Sequence, residues 1–366
     1  MLKSSKPLLK SLLDIASNIQ IESNFCISHP KYQPFALPEP VVGRFQHTSP
    51  SLQQKYLSLL LRNFLHGIYY NGSLKKILVE KHGISPSNLP YKSLESDSNF
   101  KIDLPFYEQL HASNHGVGYF DSGWEVLRQE PDGSMAVAKG GLTLYVEHPA
   151  NLETIIQSSK VGEVTAIWMP KNRIENGYYI AVSNVGQDLQ VNLDGDFGVG
   201  RIYLNITPTG AIALMKSLTR LLNSAEIPFS FQVLHNRSSY GRYDAGILYF
   251  EREDYLAVRK ILKAVYLKHQ VHFYKDIPLF TKFLAPGLGL AEEPSQKFAS
   301  QESFGMNRCQ IVANALLESW ENGDNSTEKR MSAIYQHFAK LGIDLQRPYL
   351  NPDSEDIYSP LDRTNR

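Results

Sequence analysis

Three things are scarce in this chain, and each scarcity removes a class of function. Cysteine occurs only twice in 366 residues, and Cys26 and Cys309 form no metal-spaced pair. That argues for a reducing compartment and against a structural zinc. Net charge is absent, since 37 Lys and Arg balance 37 Asp and Glu. No general field draws the protein to nucleic acid or to an anionic membrane, so any anion recognition must be local. Long apolar runs are missing too. The opening MLKSSKPLLKSLLDIASNIQ interrupts its apolar pairs with Lys, Ser and Asp, unlike a signal-peptide core, and no stretch is apolar enough for a membrane span. The usual catalytic signatures also fail: there is no Gly-x-Ser-x-Gly elbow, Walker loop, dinucleotide glycine fingerprint or metal-spaced His pair. The expectation is a cytoplasmic protein that needs no metal or other cofactor and has neither nucleic acid nor membrane as a partner.

What is present is a globular composition, 42% hydrophobic and 20% charged, long enough for two domains or one large domain with an appended helical part. Leu8, Leu9, Leu12, Leu13, Ala16 and Ile19 recur at helical spacing, and a Pro-rich piece from His29 to Pro40 breaks the pattern. A second helix is predicted over 51–70, stopping at Asn71-Gly72. Residues up to about Asn99 read as a linker. Residues 1–100 are therefore assigned to an N-terminal helical subdomain, 101–345 to the main domain, and 346–366 to a polar tail that should fray.

Within the main domain, Tyr107–Ala112 looks helical, whereas Asn114–Trp124 (NHGVGYFDSGW) cannot be a regular element. Short strands are expected at 124–130, 134–138, 142–147, 163–169, 178–183 and 201–206, with a Gly/Asp-rich loop over 186–200. Strand 201–206 leads through Thr207-Pro208 into a helix, followed by strands 229–234 and 244–250 and a helix over 254–273. That order predicts an α+β fold, a mostly antiparallel sheet packed by helices. Phe280–Trp320 organises the rest. Pro286, Gly287, Gly289 and Pro294 make its first half an ordered, partly buried loop, and Ser303 is the N-cap of a helix carrying Arg308 in its first turn. A final helix spans 328–341.

Candidate chemistry lies at strand ends and turns. His235 ends one strand, and Arg242, Tyr243 and Asp244 open the next, where loops bring donors together over a rigid sheet. Lys139 sits among Ala, Val and Gly, with no obvious carboxylate beside it. Arg201, Tyr203 and Asn205 share one strand face by period-two alternation. Arg308 stands near the free N–H groups of its helix.

In order and spacing, SNHGVGYFDSGW, AVAKGGLTL, RIYLNITPTG, YGRYDAGILYF, LAPGLGLAEEP and ESFGMNRCQIVANALL resemble the HopA family of type III secretion effectors and their bacterial relatives, including a cyanobacterial branch. The likeness runs from about Phe106 to Leu317. It implies a lyase acting on phosphorylated Ser or Thr of a precursor peptide, working with a kinase-like phosphotransferase and leaving dehydroamino acids. The name-giving effector is instead a protein delivered into plant cells, so a non-catalytic interaction module of the same fold is the alternative. Elimination of phosphate needs a base, a stabiliser for enolate charge and cations for the leaving group. Under this resemblance Lys139 is the expected base, with His235 or Tyr243 as proton donor. Arg201, Arg242, Arg308 and Lys282 would hold phosphate. Asn114, Tyr119, Tyr203, Asn205, Asp244 and Glu302 would contact substrate.

Overall fold

In the computed structural model the described residues are 5–22, 25–79, 102–131, 133–146, 160–186, 198–300 and 302–361. The expected linker over 80–99, the boundary at residue 100 and most of the 186–200 loop lie outside them. Helix α1 (Ser5–Asn18) buries Leu12, Ile15 and Ala16. The Pro-rich piece after it does more than break a helix. Gln20–Glu22 (β1), Cys26–His29 (β2) and Tyr32–Ala36 (β3) form a small antiparallel sheet, with Pro34 tolerated because β3 is its edge. Helix α2 (Glu39–Phe45) precedes α3 (Pro50–Leu65), whose Ser49 cap accepts from Leu52 N. The end of α3 widens into a π-helical turn, His66–Tyr70, and stops at Asn71-Gly72 as expected. Short helix α4 (Lys75–Val79) and helix α5 (Leu104–Ser113) complete this part.

A four-stranded sheet follows: β4 (Tyr119–Gln129), β5 (Met135–Lys139), β6 (Leu142–Val146) and β7 (Val164–Met169), in the order β6-β5-β4-β7. Its own apolar cluster is Trp124, Val126, Met135, Val137 and Ile167. Here the sequence expectation is corrected, because Tyr119–Trp124 is strand. Its glycine is absorbed by a bulge: the register against β7 shifts between Asp121 and Trp124, and Gly123 has φ +86°.

The main sheet holds β8 (Asn172–Glu175), β9 (Tyr178–Val182), β10 (Val199–Leu204), β11 (Phe229–Leu234), β12 (Gly246–Glu251), β13 (Lys282–Ala285) and β14 (Leu288–Glu292). The order is β13-β14-β10-β12-β11-β9-β8, and every pairing is antiparallel. This is the expected α+β fold. Strands β13 and β14 replace the loop expected over 280–294. Their turn is Pro286-Gly287, where Gly287 has φ +76° and a Cβ would run into the Tyr274 carbonyl, so the residues read as breakers are the hairpin's turn.

Helices α6 (Pro208–Ser224, capped by Thr207) and α7 (Tyr255–His269) pack on each other and on the sheet, over Ile202, Leu204, Phe231 and Leu248. The opposite parity of β10, Arg201 and Tyr203, looks toward the π turn and α8 (Phe304–Glu321). Helix α9 (Thr327–Lys340) packs on α8 and α1, and α3 packs on α8, so the N-terminal and C-terminal helices share one apolar core.

The described part of the tail does not fray. Residues 346–361 run back across the sheet, with Tyr349, Leu350, Tyr358 and Leu361 buried. Glu292 at the end of β14 accepts from Asn351 N (2.9 Å), Ser354 Oγ (2.7 Å) and the Tyr358 hydroxyl (3.0 Å). Polar composition misled here because its hydrogen bonds are made to one buried carboxylate rather than to water.

Candidate anion-binding site

Strand alternation puts Arg201, Tyr203 and, from the neighbouring strands, Tyr249 and Ser230 on one sheet face, since Arg201 pairs with Tyr249 and Tyr249 with Ser230. The Arg201 guanidinium lies over the Tyr249 ring, 4.9 Å from its centroid, and ion-pairs with Glu293. The other Glu293 oxygen takes Lys297 Nζ at 2.5 Å. Desolvation is the largest influence on Arg201 and pulls it down, but Tyr249, Tyr203 and Tyr70 together outweigh it and hold the group firmly charged. Lys297 goes the other way: desolvation and then the Arg201 charge hold its amine below the ordinary lysine range, against the pull of Glu302, Tyr249 and its Glu293 partner.

The π turn supplies the facing wall. Tyr70 meets Tyr203 edge-on at 6.1 Å, and His66 stacks on Tyr70 at 4.9 Å. Gly305 at the start of α8 gives Tyr70 its space, because a Cβ there would enter the ring. At the far end Arg242 forks onto Asp244 (Nε–Oδ1 2.5 Å, Nη2–Oδ2 2.8 Å), and Asn71 Nδ2 donates to the same carboxylate at 3.2 Å. Burial raises Asp244, yet Arg242, His66 and Asn71 bring it below the usual carboxylate range. Burial pushes the Tyr70 phenol well up, with Tyr203 and Asp244 adding to it, so it stays a hydrogen-bond donor.

Among the described residues, Arg201 Nε and Ser230 Oγ are buried on this side of the sheet without a hydrogen-bond partner, and the Tyr70 and Tyr203 hydroxyls reach only each other and the Arg201 guanidinium, with no acceptor outside the cluster. Buried donors are normally paired. All four can donate, and two arginines act on the Tyr70 phenol through space. The arrangement fits an oxyanion. Among the described residues no group of three or more His, Cys, Asp or Glu stands close enough to hold a metal ion.

His66 gives the site a pH signature. Desolvation holds its imidazole down to about 4, with Asp244 opposing and Arg242 and Arg62 reinforcing. The unfolded chain, with His near 6.5, binds more protons between those values. The stability from a neutral His66 is therefore complete above pH 6.5 and lost as pH falls toward 4. The melting temperature should drop across that window. His29, His111 and His269 are shifted in the same direction, so the check is the difference between wild type and His66→Gln, which should flatten part of the slope. An identical slope in the variant would assign the effect to the other three.

The sequence candidates divide. Arg201, Arg242, Tyr203 and Asp244 come together, and Glu302 acts on Lys297 through space while holding Phe298 N (3.0 Å) and Asn307 Nδ2 (2.8 Å). Lys139 does not join them. It does have a carboxylate, Asp121 at 2.8 Å, besides the Ser122 carbonyl at 2.6 Å, both brought to it by the bulge in β4. It ends β5 of the four-stranded sheet, whereas Arg201 stands on β10 of the main sheet. Arg308 is not a free cation either. It is 1% exposed and gives its three donor positions to Pro348 O, Leu350 O and Asn307 Oδ1, and desolvation brings it down to about 10. Lys282 is held by Asp356 at 2.5 Å and Tyr349 at 3.3 Å. The tail expected to fray is what occupies both cations.

His235 is buried at the end of β11 with neither ring nitrogen hydrogen-bonded. The Tyr243 hydroxyl accepts from Lys75 Nζ at 3.0 Å, and its ring packs against Gly72. Asn114 ties a turn by donating to Lys171 O and the Tyr179 hydroxyl. Tyr119 packs with Ile180 and Val182. Asn205 donates to Asp276 O at 2.9 Å. Sequence reasoning passed over Tyr70, His66, Tyr249, Glu293 and Lys297. Tyr249 was legible once the β10–β12 register is known, and the Glu293–Lys297 spacing of four was visible, but what they face is set by the π turn.

The fold and the cluster define an α+β protein with a buried arginine–tyrosine site between an antiparallel sheet and a helical layer. The HopA1 effector protein family model matches residues 169–350 of this chain, just under half of its length. Two solved structures are similar. One is the effector protein from Pseudomonas syringae pv. tomato strain DC3000, at 17% identity and TM-score 0.40, covering 69% of this chain and 82% of that one. The other is the effector protein from Pseudomonas syringae pv. syringae strain 61, at 15% identity and TM-score 0.40, covering 70% and 84%. No curated protein matches the chain. No helix among the described residues is long and apolar enough to cross a membrane.

Proposed function

We propose that this site binds the phosphate of a phosphoserine or phosphothreonine peptide and eliminates it. The observation that carries the reading is the set of buried donors on Arg201, Tyr70, Tyr203 and Ser230 that meet no acceptor outside the cluster, next to a lysine whose amine is held below its ordinary range. In the reaction Lys297, after its ammonium has lost a proton to solvent, takes the α-proton on the neutral Nζ; the freed electron pair forms the Cα–Cβ double bond, and the Cβ–O bond breaks to release phosphate with its electrons. Arg201 and Arg242 carry the phosphate charge, and a protonated Tyr70 donates to it. A kinase-like phosphotransferase would supply the phosphorylated residue. The catalytic lysine is thus Lys297 in place of Lys139.

The test is incubation with a phosphothreonine peptide and mass spectrometry for loss of phosphoric acid. Lys297→Met should slow elimination by about 10²- to 10⁴-fold while peptide binding persists, and Lys139→Ala should leave the rate unchanged. A peptide of unchanged mass rejects the lyase. The second reading, a non-catalytic module that binds a phosphorylated partner, has in its favour that Arg242 and Arg201 already hold internal carboxylates. It predicts binding without any mass change.

A further inference from the structure

We infer that Glu293 is a specificity-determining residue that restricts this site to doubly charged oxyanions. The inference rests on the phosphate-binding reading above. Glu293 occupies the place between two cations where an anion would sit: one oxygen is on Arg201 and the other on Lys297 at 2.5 Å. It is itself buried, 8% exposed, and comes from the segment directly after β14, tied by its backbone N–H to Val199 O at 2.9 Å, so it is held there rather than swinging in solvent.

A carboxylate is planar and has two oxygens, both committed to these cations. It leaves Arg201 Nε without an acceptor and the Tyr70 and Tyr203 hydroxyls with only each other and the Arg201 guanidinium, and these side chains are themselves 7%, 2% and 2% exposed. A tetrahedral ester oxyanion has three terminal oxygens and can meet donors that a planar group cannot reach. The cluster therefore holds more donors than its internal carboxylate takes up. To enter, a ligand must take Arg201 from Glu293. A singly charged ligand exchanges like for like and gains little, whereas a phosphate monoester brings close to two negative charges and leaves the cations better compensated than before. Lys297 and Tyr249 are the partly exposed members of the cluster, so the exchange would start at them.

The probes are phenyl phosphate and phenyl sulfate, which match in shape, differ in charge and cannot undergo the elimination. By isothermal titration calorimetry at neutral pH and low salt, the wild type should bind the phosphate ester at least about tenfold more tightly than the sulfate ester. Glu293→Gln should tighten sulfate binding and bring the two within about threefold of each other. Glu293→Asp, which keeps the charge, should retain the discrimination. Melting curves establish that each variant is folded. A wild-type ratio near one overturns the inference whatever the variants do. Phenyl phosphate bound with an unchanged ratio in Glu293→Gln overturns the role of Glu293 but leaves the phosphate reading standing. No binding of phenyl phosphate to either protein removes both.

Discussion

Arg201→Gln is expected to abolish useful phosphate binding, weakening it on the order of 10²- to 10³-fold and taking peptide elimination with it. Truncating one partner of a buried, hydrogen-bonded charge pair costs about 2–5 kcal/mol, and here one guanidinium serves several partners at once. It lies over Tyr249, pairs with Glu293, keeps a free Nε toward the site and, by its charge, depresses Lys297. Removing it deletes a phosphate ligand and lets the Lys297 amine titrate nearer the ordinary lysine range. The two effects separate in a pH profile. Loss of a ligand lowers binding at every pH, while release of Lys297 moves the alkaline rise of the elimination rate to higher pH. Arg201→Lys keeps a charge but not the planar fork, so it should recover part of the binding and little of the geometry. Glu293 retains Lys297 as a partner in both variants, so a cooperative melt should survive. A folded Arg201→Gln protein that binds phosphopeptide like the wild type would remove the cluster from consideration.

How much of this was readable beforehand depended on whether a residue's partner is near in sequence or fixed by a local rule. Arg201 and Tyr203 were placed on one face by alternation alone, and Asp244 was seen beside Arg242; all four join the site. Ser303 was found as a cap because capping is a three-residue affair. Lys139 and Arg308 failed for the opposite reason. The partner of Lys139 is 18 residues away across a bulge, and those of Arg308 are 40 and 42 residues away in a segment whose polarity suggested disorder. The hairpin of β13 and β14 was hidden because its turn residues, Pro286 and Gly287, were counted as interruptions of a loop. The π turn was invisible in kind: the helix was expected to reach Tyr70, but only a widened last turn stacks His66 on Tyr70 and turns both toward the sheet.

That same tail carries the second large prediction: ending the chain at residue 345 should prevent the protein from folding to a cooperative native state, even though the deleted part was the stretch expected to fray. Four of its side chains, Tyr349, Leu350, Tyr358 and Leu361, are buried, and each such burial is worth roughly 1.5–3 kcal/mol. The polar consequences are worse. Glu292, 1% exposed, would lose Asn351 N, Ser354 Oγ and the Tyr358 hydroxyl and keep only Arg252 at 3.3 Å. Arg308 would lose two carbonyls while remaining inside α8, and an uncompensated buried charge costs about 3–5 kcal/mol. Lys282 would lose Asp356 as well. Arg308 stands within electrostatic reach of Tyr203 and Tyr70, so disorder at α8 reaches the wall of the candidate site. Glu292→Gln isolates one part of the effect: it keeps the apolar packing, removes the charge that draws three donors, and should lower the melting temperature without abolishing the transition. The measurement is soluble yield with thermal unfolding by circular dichroism. A chain ending at residue 345 that melts cooperatively within a few degrees of the full-length protein would show that the strap lies on the fold without supporting it.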